Sequence, residues 1–150
     1  MKLNFNYCNY MNIDTTHFSR CIATLEKALE LLHKSDPNDI LYDMYRSACI
    51  KEFEIILEQS GKLLRKTLKP YFHSSIAVDK LIFKDLFRNA VLHGIITTDE
   101  GERWLQYRDC RNSTAHDYGV AFAEKTLIFL PQFVIDARQL CEWINQQKTE

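Results

Sequence analysis

Apolar residues recur at three- and four-residue spacing along most of this chain, the period of a helix with one buried face. The first stripe is Phe18, Cys21, Ile22, Leu25, Ala28, Leu29 and Leu32, with Asp14, Thr15 or Thr16 placed to cap its start. Asp36-Pro37 then reads as an N-cap followed by proline at the first helical position, where a missing N–H costs nothing. A second stripe runs through Leu41, Met44, Tyr45, Ala48, Cys49, Phe53, Ile56, Leu57, Leu64 and Leu68. Pro70 ends it, because the residue before a proline is pushed out of the helical region. The pattern predicts a helix of roughly 45–50 Å at 1.5 Å per residue, with Ser60-Gly61 as the expected bend.

A shorter helix follows, with Ile82, Leu86, Phe87, Ala90 and Val91 on its inner side and Gly94 where a left-handed C-terminal cap is wanted. Thr97-Thr98-Asp99-Glu100 offers a capping box, Thr97 as cap and Glu100 reaching back, that opens the helix containing Trp104, Leu105 and Arg111. In the last third come Phe122 and Ile128, then Pro131, then Phe133, Val134, Ala137, Leu140, Cys141 and Ile144. Pro131 is expected to begin a new helix or to kink a continuous one. No strand alternation, internal repeat or low-complexity linker interrupts this order. The prediction is an all-α fold, an antiparallel up-and-down bundle of four principal helices with extra short ones. Its length suits a single domain over 1–150, with flexible ends at about 1–13 and 146–150.

Composition narrows the function classes. Nineteen basic residues stand against twenty acidic ones, so there is no general electrostatic pull toward nucleic acid, and any RNA contact must be local. Four glycines and three prolines favour long helices over a turn-rich β architecture. The five cysteines, Cys8, Cys21, Cys49, Cys110 and Cys141, are widely spaced with no C-x-x-C pair. They suggest neither a disulfide framework nor a zinc site, and a reducing compartment fits best. No secretory signal and no run of about 18 apolar residues is present, so a cytoplasmic location without membrane contact is expected.

Polar residues of an unusual kind concentrate between Trp104 and Tyr118. On a helix, Trp104, Arg108, Arg111 and Ala115 share one face, while Asp109, Asn112 and His116 fall on an adjacent line. Gly119 lies just beyond, which places His116 near a helix C-terminus, where the dipole favours its protonated form. Guanidiniums beside an amide and an imidazole suit metal-independent cleavage of a phosphodiester. Imidazole moves a proton at neutral pH, and a guanidinium holds phosphate by two parallel hydrogen bonds. No H-E-x-x-H pattern and no glycine-rich phosphate loop appears, so metal hydrolysis and nucleotide hydrolysis have little support.

The spacing alone is a weak signal. With eight arginines and five histidines, a chance Arg-x4-His pairing is expected about 0.3 times per chain. A second copy exists at Arg88 to His93, but apolar core positions interleave it and Gly94 follows, so it reads as structural. His17, His33 and His73 read as surface or capping groups, and Cys110 as a packed thiol rather than a nucleophile. Trp104 and Tyr107 are candidates for stacking on a base, although aromatics beside a core stripe are more often buried packing. A solvated arginine and a helix-terminal histidine remain a competing description of Arg111 and His116.

The run from Leu86 to Ile96, then Trp104-Leu105, then Arg108 to Tyr118 with a complete Arg-x4-His-x-Tyr, resembles the HEPN-fold nucleotidyltransferase substrate-binding family, close to the HepT toxins. The resemblance covers most of the chain in helix order and is most specific from Gly94 to Tyr118. It implies an up-and-down helical bundle that forms a homodimer and binds a separately encoded minimal nucleotidyltransferase. In the toxin branch it implies a ribonuclease centre with Arg111 holding phosphate and His116 as acid or base. Asn112 would support that centre, and Tyr118 would be the hydroxyl that the partner adenylates. Arg108 and Asp109 are candidates for orienting the centre, on helix-face geometry. No intrinsic cofactor is implied, only ATP or another nucleotide used by the partner. The implied functions are a toxin-like endoribonuclease acting on RNA or a non-catalytic substrate-binding subunit, with a purely structural dimeric bundle as a third reading.

Overall fold

The computed structural model describes residues 13–114 and 119–147. Helix α1, Thr16–His33, buries the seven residues of its expected stripe. Its start is tied down twice. Asp14 Oδ1 accepts the Thr16 N–H at 2.9 Å, and the Thr15 hydroxyl donates to Asn145 Oδ1 at 2.7 Å, near the far end of the chain. Helix α2, Ile40–Leu68, begins three residues later than Asp36-Pro37 suggests. Asp at the first position and Pro at the second favour a turn. The chain takes it, with Asp36 Oδ1 accepting from Asn38 N–H at 2.9 Å, and Asp39 caps the helix by accepting from Leu41 N–H at 3.0 Å. Leu41 and Met44, expected in the core, are exposed, and the buried stripe starts at Cys49. The opening turns of α2 instead meet α6 through polar contacts described below.

Helix α2 is continuous across Ser60-Gly61, where a bend was expected. That glycine serves close approach: a Cβ there would sit 3.3 Å from the Phe83 ring. A 3-10 turn at Lys69–Tyr71 and the short α3, Ser75–Asp79, lead to α4, Phe83–Leu92. Gly94 has φ +72°, the Ile95 N–H reaches Ala90 O at 2.9 Å and the Gly94 N–H reaches Val91 O at 3.1 Å. This is the paired bonding of a Schellman cap. The capping box of α5, Thr98–Thr114, forms as expected: the Thr97 N–H donates to Glu100 Oε2 and the Glu100 N–H to Thr97 Oγ1, both at 3.1 Å. Helix α6, Val120–Gln146, runs through Pro131 without a break, so proline does not start a new helix here.

Pairwise contacts give the topology. Thr15 against Asn145 and Arg138 against Glu26 set α1 antiparallel to α6. Arg103 against Asp136 and Cys110 against Thr126 set α5 antiparallel to α6. Tyr42 opposite Glu124 and Phe53 opposite Phe129 set α2 parallel to α6. The four long helices therefore run up, down, up and down, with α3 and α4 as the extra short elements. Of the two expected tails, Ile13 is buried and α6 extends to Gln146, while 1–12 and 148–150 lie outside the described residues.

Helices α4 and α5 approach closely at Gly101, where a Cβ would meet Val91 Cγ2 at 2.5 Å. Val91 is β-branched and stiff about χ1, so it has little room to yield. Gly101→Ala is expected to destabilise the fold by about 1–3 kcal/mol despite its better helix propensity. Gly61→Ala, facing a ring at 3.3 Å, should cost less. Urea denaturation of both variants checks the order, and a stable Gly101→Ala variant would mean the α4–α5 spacing adjusts freely.

Candidate functional site

Helix α5 carries the candidate residues, and its rotational setting is held from inside. Trp104 is fully buried, stacked on Phe87 at 4.9 Å between ring centroids, with the Tyr107 and Phe133 rings edge-on to it. Tyr107 is buried too, and its hydroxyl donates to Asp136 Oδ2 at 2.6 Å. Burial first, and the Asp136 carboxylate second, push the Tyr107 hydroxyl well above the usual phenol range. Neither ring offers a face for base stacking, which corrects that expectation: both faces are spent on the core. Arg103 completes the lock, its Nε and Nη2 each 2.8 Å from an Asp136 oxygen, and the Gln132 side chain donates to Oδ1 at 3.2 Å.

With Tyr107 pointing inward, the 100° step of the helix turns Arg108 and Arg111 together toward α2. They line one cleft of about 430 Å³, opposite Lys51, Glu54 and Glu58. Arg111 is half-buried, its Nε 3.9 Å from Glu54 Oε1. The Arg108 guanidinium lies over the Phe83 ring at 4.8 Å, a cation–π contact that anchors its stem. Three cations thus face two carboxylates, and Glu58 is itself paired with Lys62 at 3.2 Å. In a chain with a net charge of −1, this is a local positive feature.

The other candidates separate. Asp109 is exposed and pairs with Lys84 of α4 at 3.4 Å, so it turns away from the cleft and does not orient Arg111. The neighbour on that side is α4. Asn112 is exposed. His116 and Tyr118 lie outside the described residues. Among the described residues, no group of three or more His, Cys, Asp or Glu could hold a metal ion.

The chain re-enters at Gly119, and the first turns of α6 are clasped to α2. The Tyr42 hydroxyl lies 3.1 and 3.2 Å from the two Glu124 carboxylate oxygens. Arg46 donates to Glu124 at 3.1 Å and to Asp43 at 3.0 Å. A second cleft, about 320 Å³, opens between these turns and α2, and it shares Lys51 and Glu54 with the first.

The profile described as nucleotidyltransferase substrate binding protein like matches residues 13–146, nearly the whole described fold. The chain belongs to that family. A relative from Haemophilus influenzae described as a probable ribonuclease HepT is 29% identical over 108 residues, covering 72% of this chain and 73% of the relative. A solved structure from Haemophilus influenzae, described as having the fold of a substrate-binding domain of a nucleotidyltransferase, superposes with a TM-score of 0.75. It is 23% identical and covers 88% of this chain and 99% of the other, so it shows a shared fold.

Within this nucleotidyltransferase substrate-binding fold, the second Arg-x4-His pair lines neither cleft. Arg88 is exposed beside Asp85 at 3.5 Å, and His93 stacks on Tyr71 at 4.2 Å. Cys110 is a packed thiol. Burial pushes it up and outweighs the nearby Thr126 hydroxyl, which leaves little thiolate at neutral pH. Sequence reasoning missed Lys51, Glu54 and Glu58, because it followed only the apolar stripe of α2 and not its opposite face. It also missed Asp136, for which a signal existed: a lone carboxylate inside the apolar run from Phe133 to Ala137.

Proposed function

We propose that this family member is a toxin-like, metal-independent RNA endonuclease, silenced by a separately encoded minimal nucleotidyltransferase that adenylates Tyr118. The observation that carries this reading is the pair Arg108 and Arg111 side by side on one cleft, with Arg111 steadied near Glu54. Arg111 would hold the scissile phosphate by its two-pronged donor set. His116 would exchange protons with the reacting oxygens, with Asn112 in support. The 2′-oxygen attacks phosphorus as it loses its proton, a cyclic phosphate forms, and the 5′-oxygen leaves and takes up a proton. The relative described as a probable ribonuclease supports the reading. In adenylation the Tyr118 oxygen would attack the α-phosphorus of ATP as it loses its proton, with pyrophosphate leaving. The product, two positions past His116 in the chain, would bring a bulky anion to the site, blocking RNA entry and neutralising Arg111. In this reading the protein works as a homodimer in the cytoplasm, and Ile128 and Ile135 on the outer face of α6 leave apolar surface for a second copy.

A second reading is a non-catalytic subunit that presents a substrate to the nucleotidyltransferase. The fold shared with a protein described as a nucleotidyltransferase substrate-binding domain favours it. Intact mass and peptide mapping of the protein, alone and after incubation with its nucleotidyltransferase and ATP, separate the two. Adenylate on Tyr118 is the expected result. An unmodified Tyr118 in a stable complex would overturn the silencing mechanism and leave the presenting subunit.

A further inference from the structure

The two clefts beside α2 meet at one residue that the ribonuclease reading does not use. Lys51 lines both, together with Glu54, so the clefts adjoin along a single helix face rather than forming separate depressions. The other cation of the second cleft, Arg46, is occupied by Glu124 and Asp43 and holds α6 in place. Lys51 is exposed and, among the described residues, forms no ion pair, so its ammonium stays available to an incoming anion. It precedes Glu54 by three residues, one turn and about 4.5 Å along the axis, and Glu54 faces Arg111.

We infer that Lys51 carries a second phosphate of a single RNA strand whose neighbouring phosphate lies at Arg111, so that the two clefts form one track for consecutive phosphodiesters. This rests on the ribonuclease reading and adds to it a binding residue away from the reacting phosphate, one that holds the strand by its backbone. The division of labour follows from the side chains. A guanidinium steadied by a carboxylate presents an oriented fork, which suits the phosphate that must be positioned. A lysine on a flexible stem presents a point charge, which suits a phosphate that needs only to be held. Neither contact reads a base, so recognition along this track is through the backbone.

The test uses the unmodified full chain and a 2′-O-methyl decamer, which binds as RNA but lacks the 2′-hydroxyl needed for cleavage. Fluorescence anisotropy across salt concentrations counts the phosphates contacted, since each adds about 0.7 to the slope of log affinity against log salt for a single strand. Lys51→Gln is expected to reduce that slope by about 0.7. At 0.1 M salt it should weaken binding about fivefold, the equivalent of roughly 1 kcal/mol. Lys51→Arg should restore both, and Lys27→Gln, on α1 beside Glu30, should change neither. An unchanged slope in Lys51→Gln, with wild-type binding and cleavage intact, overturns the track and leaves the ribonuclease standing. Strand binding that loses slope in Lys51→Gln, without cleavage of ordinary RNA by the wild type, does the reverse. AMP binding as tightly as the decamer, with the same dependence on Lys51, would make the clefts a nucleotide pocket and overturn the inference.

Discussion

Arg111→Ala is expected to lower RNA cleavage by the unmodified protein about 10²–10³-fold, the usual cost of removing one donor aimed at developing charge. Stability should hardly change. Its guanidinium lies 3.9 Å from Glu54, and both side chains are partly exposed. Such a pair contributes about 0–1 kcal/mol. The size of that gap between activity and stability makes the experiment decisive. Arg111→Lys keeps the charge but not the fork, and should recover only part of the rate. His116→Ala should match Arg111→Ala, and the double variant should lose little more, because the two act on one step. Initial rates on a fluorescent RNA, with thermal melts in parallel, provide the readout. Cleavage at the wild-type rate by Arg111→Ala would remove the ribonuclease assignment.

The second large effect lies behind the site, not in it. Asp136 is almost wholly buried and accepts hydrogen bonds from Arg103, Tyr107 and Gln132. Asp136→Ala leaves the Tyr107 hydroxyl buried without its acceptor and frees Arg103, an expected cost of about 3 kcal/mol. For a chain of this size that lowers the melting midpoint by about 6–12 °C. The loss also frees the rotation of α5, so the placement of Arg108 and Arg111 against α2 should loosen. Tyr107 adds a pH signature. Its hydroxyl is held above the usual phenol range in the fold, so above about pH 10 the unfolded chain gives up a proton that the native one keeps. The stability it contributes is complete below that pH and is lost above it, by about 1.4 kcal/mol per pH unit. Tyr107→Phe should remove one proton's worth of that slope in denaturation curves between pH 9 and 11. Asp136→Ala melting within a degree of wild type would show that α5 is held by other means.

What could be read in the chain alone was local. The stripe of α1 emerged whole because seven apolar residues at helical spacing admit one buried face. The Thr97–Glu100 box and the Gly94 cap were legible because their partners lie within five residues of each other. The shared face of Arg108 and Arg111 followed from the 100° step. Where a local signal had two outlets, the chain took the other one: Asp36-Pro37 became a turn, and Asp39 became the cap.

The identity of the opposite wall was decided only by the fold. A helical period says which residues share a face and nothing about what meets it. Asp109 therefore found Lys84 on α4, while Arg111 found Glu54 on α2. Trp104 and Tyr107 took inward positions for the same reason, since their burial depends on Phe87, Phe133 and Asp136 arriving from two other helices. Local hydrogen bonds and spacing are settled within a turn or two of chain. A cleft is made of side chains from helices that meet only after packing, and its charge is the sum of what each helix happens to face.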